Sequence, residues 1–146
     1  MKRPDVKIIR VKFEEMPLSN EAFAVRHKVF VEEQGVDPKL EHDQNEPLSH
    51  HYAVQLEAKT IGTARWRETE KGIKLERFAI LKEFRNKGIG EILLKEVMND
   101  VLPLGKTIYL HAQLKAIPFY ERHGFKKSGE LFFEARMGHY YMEYSK

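Results

Sequence analysis

The stretch from Leu75 to Leu94, LERFAILKEFRNKGIGEILL, changes character in the middle. Its first part reads as a buried strand that runs out through Glu83 and Phe84. From Gly88 the period changes: Ile89, Ile92, Leu93, Val97 and Val101 fall on one face of a helix, which Pro103 ends. Between strand and helix lie Arg85, Asn86, Lys87, Gly88, Ile89 and Gly90. Gly88 and Gly90 carry no Cβ, so their backbone N–H groups can approach a ligand closely. The first helical turn has unpaired N–H donors and a partial positive charge, and Arg85 and Lys87 add full charge at the same end. Together they form an anion cradle suited to a pyrophosphate. Two common nucleotide patterns fail here. The glycines are not followed by Lys-Ser or Lys-Thr, as a P-loop requires, and Leu93 stands where the third glycine of the dinucleotide fingerprint belongs.

Outward from this loop, the chain alternates short strand and helix patterns without repeats or linkers. Val6 to Phe13 reads as a first strand. Ser19 is placed to cap a helix with Ala22, Val25, Val29 and Phe30 at helical spacing, ending near Gly35. Val36 to Ser49, with two prolines and many acids, reads as the longest loop. His51–Leu56 and Ile61–Arg67 read as strands joined by a turn at Lys59-Thr60, and Ile73–Ile80 as a strand after a turn at Lys71-Gly72. Lys106–Gln113 returns to strand, Ala116–His123 is a short helix stopped by Gly124, and the aromatic tail closes the sheet. This order predicts an α/β (mixed α+β) fold: a mixed sheet with helices on both faces.

Composition narrows the class. A chain of 146 residues is read as a single domain over residues 1–146, with an ordinary apolar fraction of 42% and charged fraction of 32%. It has no cysteine, which excludes a disulfide scaffold, a thiolate metal site and a cysteine nucleophile, and suits a reducing cytoplasm. The charged opening MKRPDVKIIRVKF lacks a long apolar region, so no signal peptide is expected. No apolar run approaches the roughly 20 residues of a membrane span, so no membrane partner is expected. The net charge of +3 is spread among nearly as many acids, with no basic stripe for nucleic acid. His50 and His51 point to opposite faces of a strand and cannot share one ion, and His42, Asp43, Asn45 and Glu46 lack a calcium-loop pattern. No metal site is expected.

Three segments carry a resemblance. RNKGIG, Arg85 to Gly90, resembles the R/Q-x-x-G-x-G/A acetyl-CoA motif of the GNAT acetyltransferase superfamily. Glu76-Arg77-Phe78-Ala79-Ile80 is similar to that family's V/E-R-x-x-V strand, and AIPFYERHGF, Ala116 to Phe125, to its A-x-x-F-Y-x-x-x-G-F segment. Narrower still, RHKVFVEEQ, Arg26 to Gln34, resembles R-x-x-V-F-x-x-E-Q of the ElaA/YjcF-like bacterial branch, whose final segment is echoed by Phe133, Glu134, His139 and Met142. Gly138 stands where that segment has proline. The resemblance covers nearly the whole chain. It implies a largely antiparallel mixed sheet, splayed at the acyl-CoA site, and transfer of an acetyl group from acetyl-CoA to an amine of a small molecule or peptide. A homodimer is compatible with it.

The resemblance further implies direct attack by the amine in a ternary complex. A lysine-like amine of pKa about 10.4 is free in roughly one part in a few thousand at pH 7, a penalty of about 4.6 kcal/mol, so a base should help. Glu76, His111 and Glu33 are the candidates, and each is equally readable as a paired or surface group. Tyr120 occupies the place of the family tyrosine that protonates the departing thiolate; its ring can also simply pack. The developing oxyanion is expected to meet a backbone N–H near Ala79 or Ile80, where the family bulges this strand. Cofactor contacts are expected from Phe78, Ala79, Ile80, the Arg85–Gly90 loop and Tyr120, with Pro118 widening the gap. Arg26, Phe30 and Glu33, at i, i+4 and i+7, are readable as an acceptor wall or as an intrahelical ion pair over a buried ring. Two further readings stay open: a non-catalytic acyl-CoA sensor, and an enzyme like the acyl-homoserine-lactone synthases, which have a similar R-x-x-x-F opening.

Overall fold

A computed structural model describes residues 4–145. They form one seven-stranded sheet. Its strands are β1 Lys7–Val11, β2 His50–Leu56, β3 Lys59–Thr69, β4 Gly72–Ile80, β5 Ile108–Gln113, β6 Phe125–Glu134 and β7 Met137–Tyr144. The helices are α1 Leu18–Arg26, α2 Pro38–Glu41, α3 Ile89–Val101 and α4 Ile117–Arg122. The sheet order is β1-β2-β3-β4-β5-β7-β6. Every neighbouring pair is antiparallel except β4 and β5, because α3 carries the chain back over the sheet between them. α3 buries Ile89, Leu93, Leu94, Val97, Met98 and Val101, and Pro103 sits in the 3₁₀ turn that follows it.

Helices do cover both faces. Successive strand residues alternate sides. On β2, His51 meets the ring of Phe23 in α1 edge-on at 5.5 Å, while the next residue, Tyr52, donates to Asp100 of α3 at 2.6 Å. His50 and His51 accordingly part company: His50 stacks on Trp66 at 3.9 Å, and buried His51 has Nε2 2.8 Å from the Glu46 carbonyl.

Several local expectations need correction. The first β-hairpin turns at Glu57 and Ala58, two residues before Lys59-Thr60; both adopt positive φ, +50° and +68°. The pair Ala135 and Arg136 does the same between β6 and β7. Two left-handed residues match the twist of the flanking strands, and neither pair contains the glycine or asparagine that flags such a turn in sequence. The next hairpin turns at Glu70 and Lys71, and Gly72 already belongs to β4. Ser19 is no cap: α1 starts at Leu18, and Ser19 is buried inside its first turn. The acidic loop contains α2, capped by Asp37 accepting from the Lys39 amide at 2.9 Å, and a 3₁₀ turn at Glu46–Leu48.

The helix that begins as α1 turns into a π-helix over His27–Glu33, marked by the bond from the Gln34 amide to the Val29 carbonyl. The wider turn cancels the i, i+4, i+7 alignment on which a shared face for Arg26, Phe30 and Glu33 depended.

Candidate active site

β4 and β5 pair only at Ile73, Leu75 and the residue between them, opposite Ile108 to Leu110. Beyond Leu75 and Leu110 the strands part. On its other edge β4 is bulged: Thr63 opposes Ala79 but Arg65 opposes Glu76, so Arg77 and Phe78 form the bulge, with Arg77 at φ +59°. The expected bulge is therefore present, one to two residues before Ala79 and Ile80. The parted strands open a cavity of about 860 Å³ between Lys74–Ile80 on one wall and Leu110–Gln113 on the other. Six residue steps of β4 make that wall about 20 Å long.

At one end lies the glycine loop. Asn86 and Gly88 take positive φ, +63° and +80°, and Gly88 occupies the cap position of α3 with no side chain bonding the first turn. The helix thus presents its N–H donors uncovered, as an anion requires. A Cβ on Gly90 would lie 3.7 Å from the Phe119 ring, ordinary contact within the protein. Phe78, Ala79, Ile80, Arg85, Asn86 and Tyr120 line the cavity. Lys87 and Pro118 are exposed, and Ile89 is buried in the core. Arg85 departs from expectation. Its Nε donates to the Ile80 carbonyl at 2.8 Å, and both terminal nitrogens donate to Glu33, at 2.6 and 2.8 Å. That pair raises the Arg85 pKa and lowers that of Glu33, so Glu33 is held ionised and is a poor base.

The other base candidates separate clearly. Burial would raise the Glu76 pKa, but Arg65, Arg67 and Lys74, all within 3.1 Å, outweigh it and hold it at about 2. Such a carboxylate takes no proton from an amine near pH 7. His111 lines the cavity with Nδ1 3.0 Å from the Glu134 carboxylate, leaving Nε2 without a partner among the described residues. Tyr120 lies in the core cluster with Leu110 and Ala112, its ring edge-on to Phe78 at 6.4 Å. Its hydroxyl makes no hydrogen bond among the described residues, and burial pushes its pKa above the ordinary phenol range. His111 sits between Leu110 and Ala112 and so points to the opposite face of β5. Base and hydroxyl therefore approach the gap from its two sides.

Residues 15–146 match the model of the acetyltransferase (GNAT) domain. This chain belongs to the GNAT acetyltransferase family. It is 38% identical over 124 residues to YjcF of Bacillus subtilis strain 168, described as an uncharacterized N-acetyltransferase, covering 84% of this chain and 89% of that one. A putative N-acetyltransferase from Lactobacillus plantarum superposes with a TM-score of 0.85 at 24% identity, covering 95% of this chain and 97% of that one. Escherichia coli ElaA superposes at 0.83 with 20% identity, covering 97% and 99%. The two structures share the fold, and YjcF places the chain in the branch that the Arg26–Gln34 segment resembles. The GNAT chain is thus an acyltransferase, of the class that transfers an acyl group from an acyl-CoA to nitrogen.

One part of this GNAT site was not legible beforehand. Arg26 is fully buried and lies outside the cavity, bonded to Glu41 at 2.6 Å and Glu46 at 2.6 and 2.9 Å. It is neither an acceptor contact nor the partner of Glu33. Of the three wall candidates, only Phe30 lines the cavity. Arg65 is equally buried and bonds Asp43 twice at 2.9 Å, and Arg77 holds the carbonyls of Leu40 and Glu41. Glu41, Asp43 and Glu46 of the segment read as the longest loop are thus the inner half of a buried ion network that seats residues 38–46 over the sheet. The available signal was Arg26 beside Val25 and Arg65 between Ala64 and Trp66, charges standing next to apolar residues. Among the described residues there is no group of three or more His, Asp or Glu able to hold a metal, and no helix is long and apolar enough to cross a membrane.

Proposed function

We propose that the protein transfers the acetyl group of acetyl-CoA to an amine by direct attack in a ternary complex. The observation that supports this reading best is the parted β4–β5 gap, with His111 on one side of it and the Tyr120 hydroxyl on the other. The pyrophosphate lies on the uncovered amides of the Asn86–Gly90 loop and the first turn of α3, with Lys87 adding charge. The thioester enters the gap beside Phe78 to Ile80, whose bulged backbone offers an N–H to the carbonyl oxygen.

The acceptor approaches from the His111 face. Glu134 holds Nδ1–H, so the Nε2 lone pair accepts the proton that the amine must lose. The amine nitrogen bonds to the thioester carbon, the carbonyl electrons move to oxygen, the nitrogen releases its second proton to solvent, and the return of the carbonyl electrons breaks the C–S bond. Tyr120 donates its hydroxyl proton to the departing thiolate and recovers one from solvent. A phenol carries its proton at neutral pH, and burial, which raises its pKa, makes Tyr120 a weaker acid that gives the proton up only to the developing thiolate.

Two measurements test this. Acetyl-CoA should raise the melting temperature by mass action, and acetyl-pantetheine, which lacks the pyrophosphate, should do so far less. Coenzyme A thiol should be released in proportion to added amine. No melting shift at millimolar acetyl-CoA would sink the assignment. A shift without release from any amine would favour the sensor reading.

A further inference from the structure

The wall that His111 shares carries two cations, Arg67 and Lys74, beside the carboxylates of Glu76 and Glu134. Arg67 of β3 lies directly across from Lys74 of β4, and Lys74 across from Tyr109 of β5, so the three share the sheet face of His111. Arg67 and Lys74 both line the cavity. Their shared carboxylate partner is Glu76, at 2.9 and 3.1 Å, and Glu76 is also bonded by Arg65. In the connected network the five cations Arg26, Arg65, Arg67, Lys74 and Arg77 face the four carboxylates Glu41, Asp43, Glu46 and Glu76. The inner three arginines each hold two or three of those acids. The one cation in excess of this network falls at Arg67 and Lys74, where it meets the cavity, and Glu134, which Lys74 also attracts, answers part of that charge.

Arg67 uses Nε and Nη2 on Glu76 and leaves Nη1 without a partner among the described residues. A guanidinium with a free edge in a partly dehydrated wall is a carboxylate or phosphate receptor. His111 stands one strand over and two residues along from Lys74. Strand spacing and rise put that diagonal at about 8 Å between backbones. The carboxylate of Glu134, on the other side of His111, attracts the opposite charge. One compact molecule with a cationic amine and an anionic group a few bonds away satisfies both ends.

We infer that the acceptor is a small amine bearing its own anionic group, carboxylate or phosphate, which Arg67 and Lys74 hold so that the amine faces His111. This rests on the acyl-transfer reading above and specifies its acceptor class. It disfavours polyamines and amines on uncharged scaffolds, whose positive charge meets Arg67 and Lys74 unfavourably.

The test is coenzyme A release by the full chain with matched acceptors: glycine, 3-aminopropanoate and O-phosphoethanolamine against glycinamide, ethylamine and putrescine. The expected result is kcat/KM at least tenfold higher for the anionic members, and comparison of the first two with the third tells carboxylate from phosphate. Arg67→Gln and Lys74→Met should each raise the KM for the anionic acceptor tenfold or more while the KM for acetyl-CoA moves less than twofold. Arg67→Lys, which keeps the charge, should recover part of the loss. Equal or better turnover of the uncharged or polycationic amines would overturn the inference. If no amine releases coenzyme A, the acyl-transfer reading fails by itself. Calorimetric binding of the same six amines to the coenzyme A complex then decides. Tighter binding of the anionic amines that Arg67→Gln abolishes supports the anion site, and binding indifferent to the anionic group or to Arg67 removes it.

Discussion

Tyr120→Phe removes one hydroxyl and keeps the ring that packs on Phe78. Acetyl-CoA affinity should change by less than about twofold, while kcat falls roughly 10²–10⁴-fold, the usual range for a positioned proton donor. A rate within twofold of wild type, with chemistry shown to limit turnover, would take Tyr120 out of the reaction. The pH profile separates the bases. Glu76 already holds no proton above pH about 2, so a rise of kcat/KM governed by a carboxylate near pH 4–5 is not its signature. If His111 is the base, His111→Gln should flatten the acid limb, and Glu134→Gln should lower kcat with little change in the KM for acetyl-CoA. Tyr120 and His111 could be singled out as candidates in the sequence because one lies in a motif and the other carries chemistry that stands out on a strand. Glu134 and Arg67 were not, because nothing in a linear sequence says which charges end up across the gap from one another.

At the scale of single elements, α3 and the glycines before it were legible, since period and glycines point the same way, whereas the turn of Arg85 toward Glu33 was not. The α1 segment was not: the apolar spacing of Ala22, Val25 and Val29 fits an α-helix, and the insertion that makes His27–Glu33 a π-helix leaves no trace in that pattern. Arg26, in the α-helical turn before it, points inward with Ala22 and Val25, while Phe30 within it faces the cavity. Arg26→Met should therefore act as a core substitution. It leaves the buried carboxylates of Glu41 and Glu46 with only Arg65 and Arg77 to balance them. Breaking a buried pair on one side costs about 3–5 kcal/mol, which for a domain of this size lowers the melting temperature by roughly 10 °C. A melting temperature within about 2 °C of wild type would show that the network does not anchor the 38–46 segment. The glycine-free turns at Glu57-Ala58 and Ala135-Arg136 escaped for a different reason. The strands on either side impose left-handed geometry that the turn residues themselves do not advertise.

The whole molecule should respond to acid more sharply than its modest net charge implies. Glu46 and Glu76 are held at about 2 in the folded protein, against 4.5 for the free side chain, and Asp43 is also lowered. Folded pKa values below the unfolded ones mean stability that is complete above about pH 5 and lost as pH falls toward 2, since unfolding takes up protons in that window. Melting temperature measured from pH 7 to pH 3 should fall steeply below pH 5. Glu76→Gln should start lower at pH 7 and lose less over the same range; a parallel curve would mean that Glu76 titrates normally. A mixed sheet with helices on both faces was legible at this scale, because a long helix between two strands allows a parallel pair, whereas the strand order was not. How short that pair is could not be read from sequence, and it has its own consequence. Four strands on one side and three on the other share a ladder of three residues, so the sheet behaves as two cooperative blocks meeting at a seam. Amides of β4 beyond Leu75 that face β5 have no carbonyl opposite them and should exchange with deuterium well before those facing β3. A thioester arm laid in the seam would slow that exchange and couple the two blocks, making the cosubstrate a temporary piece of the architecture.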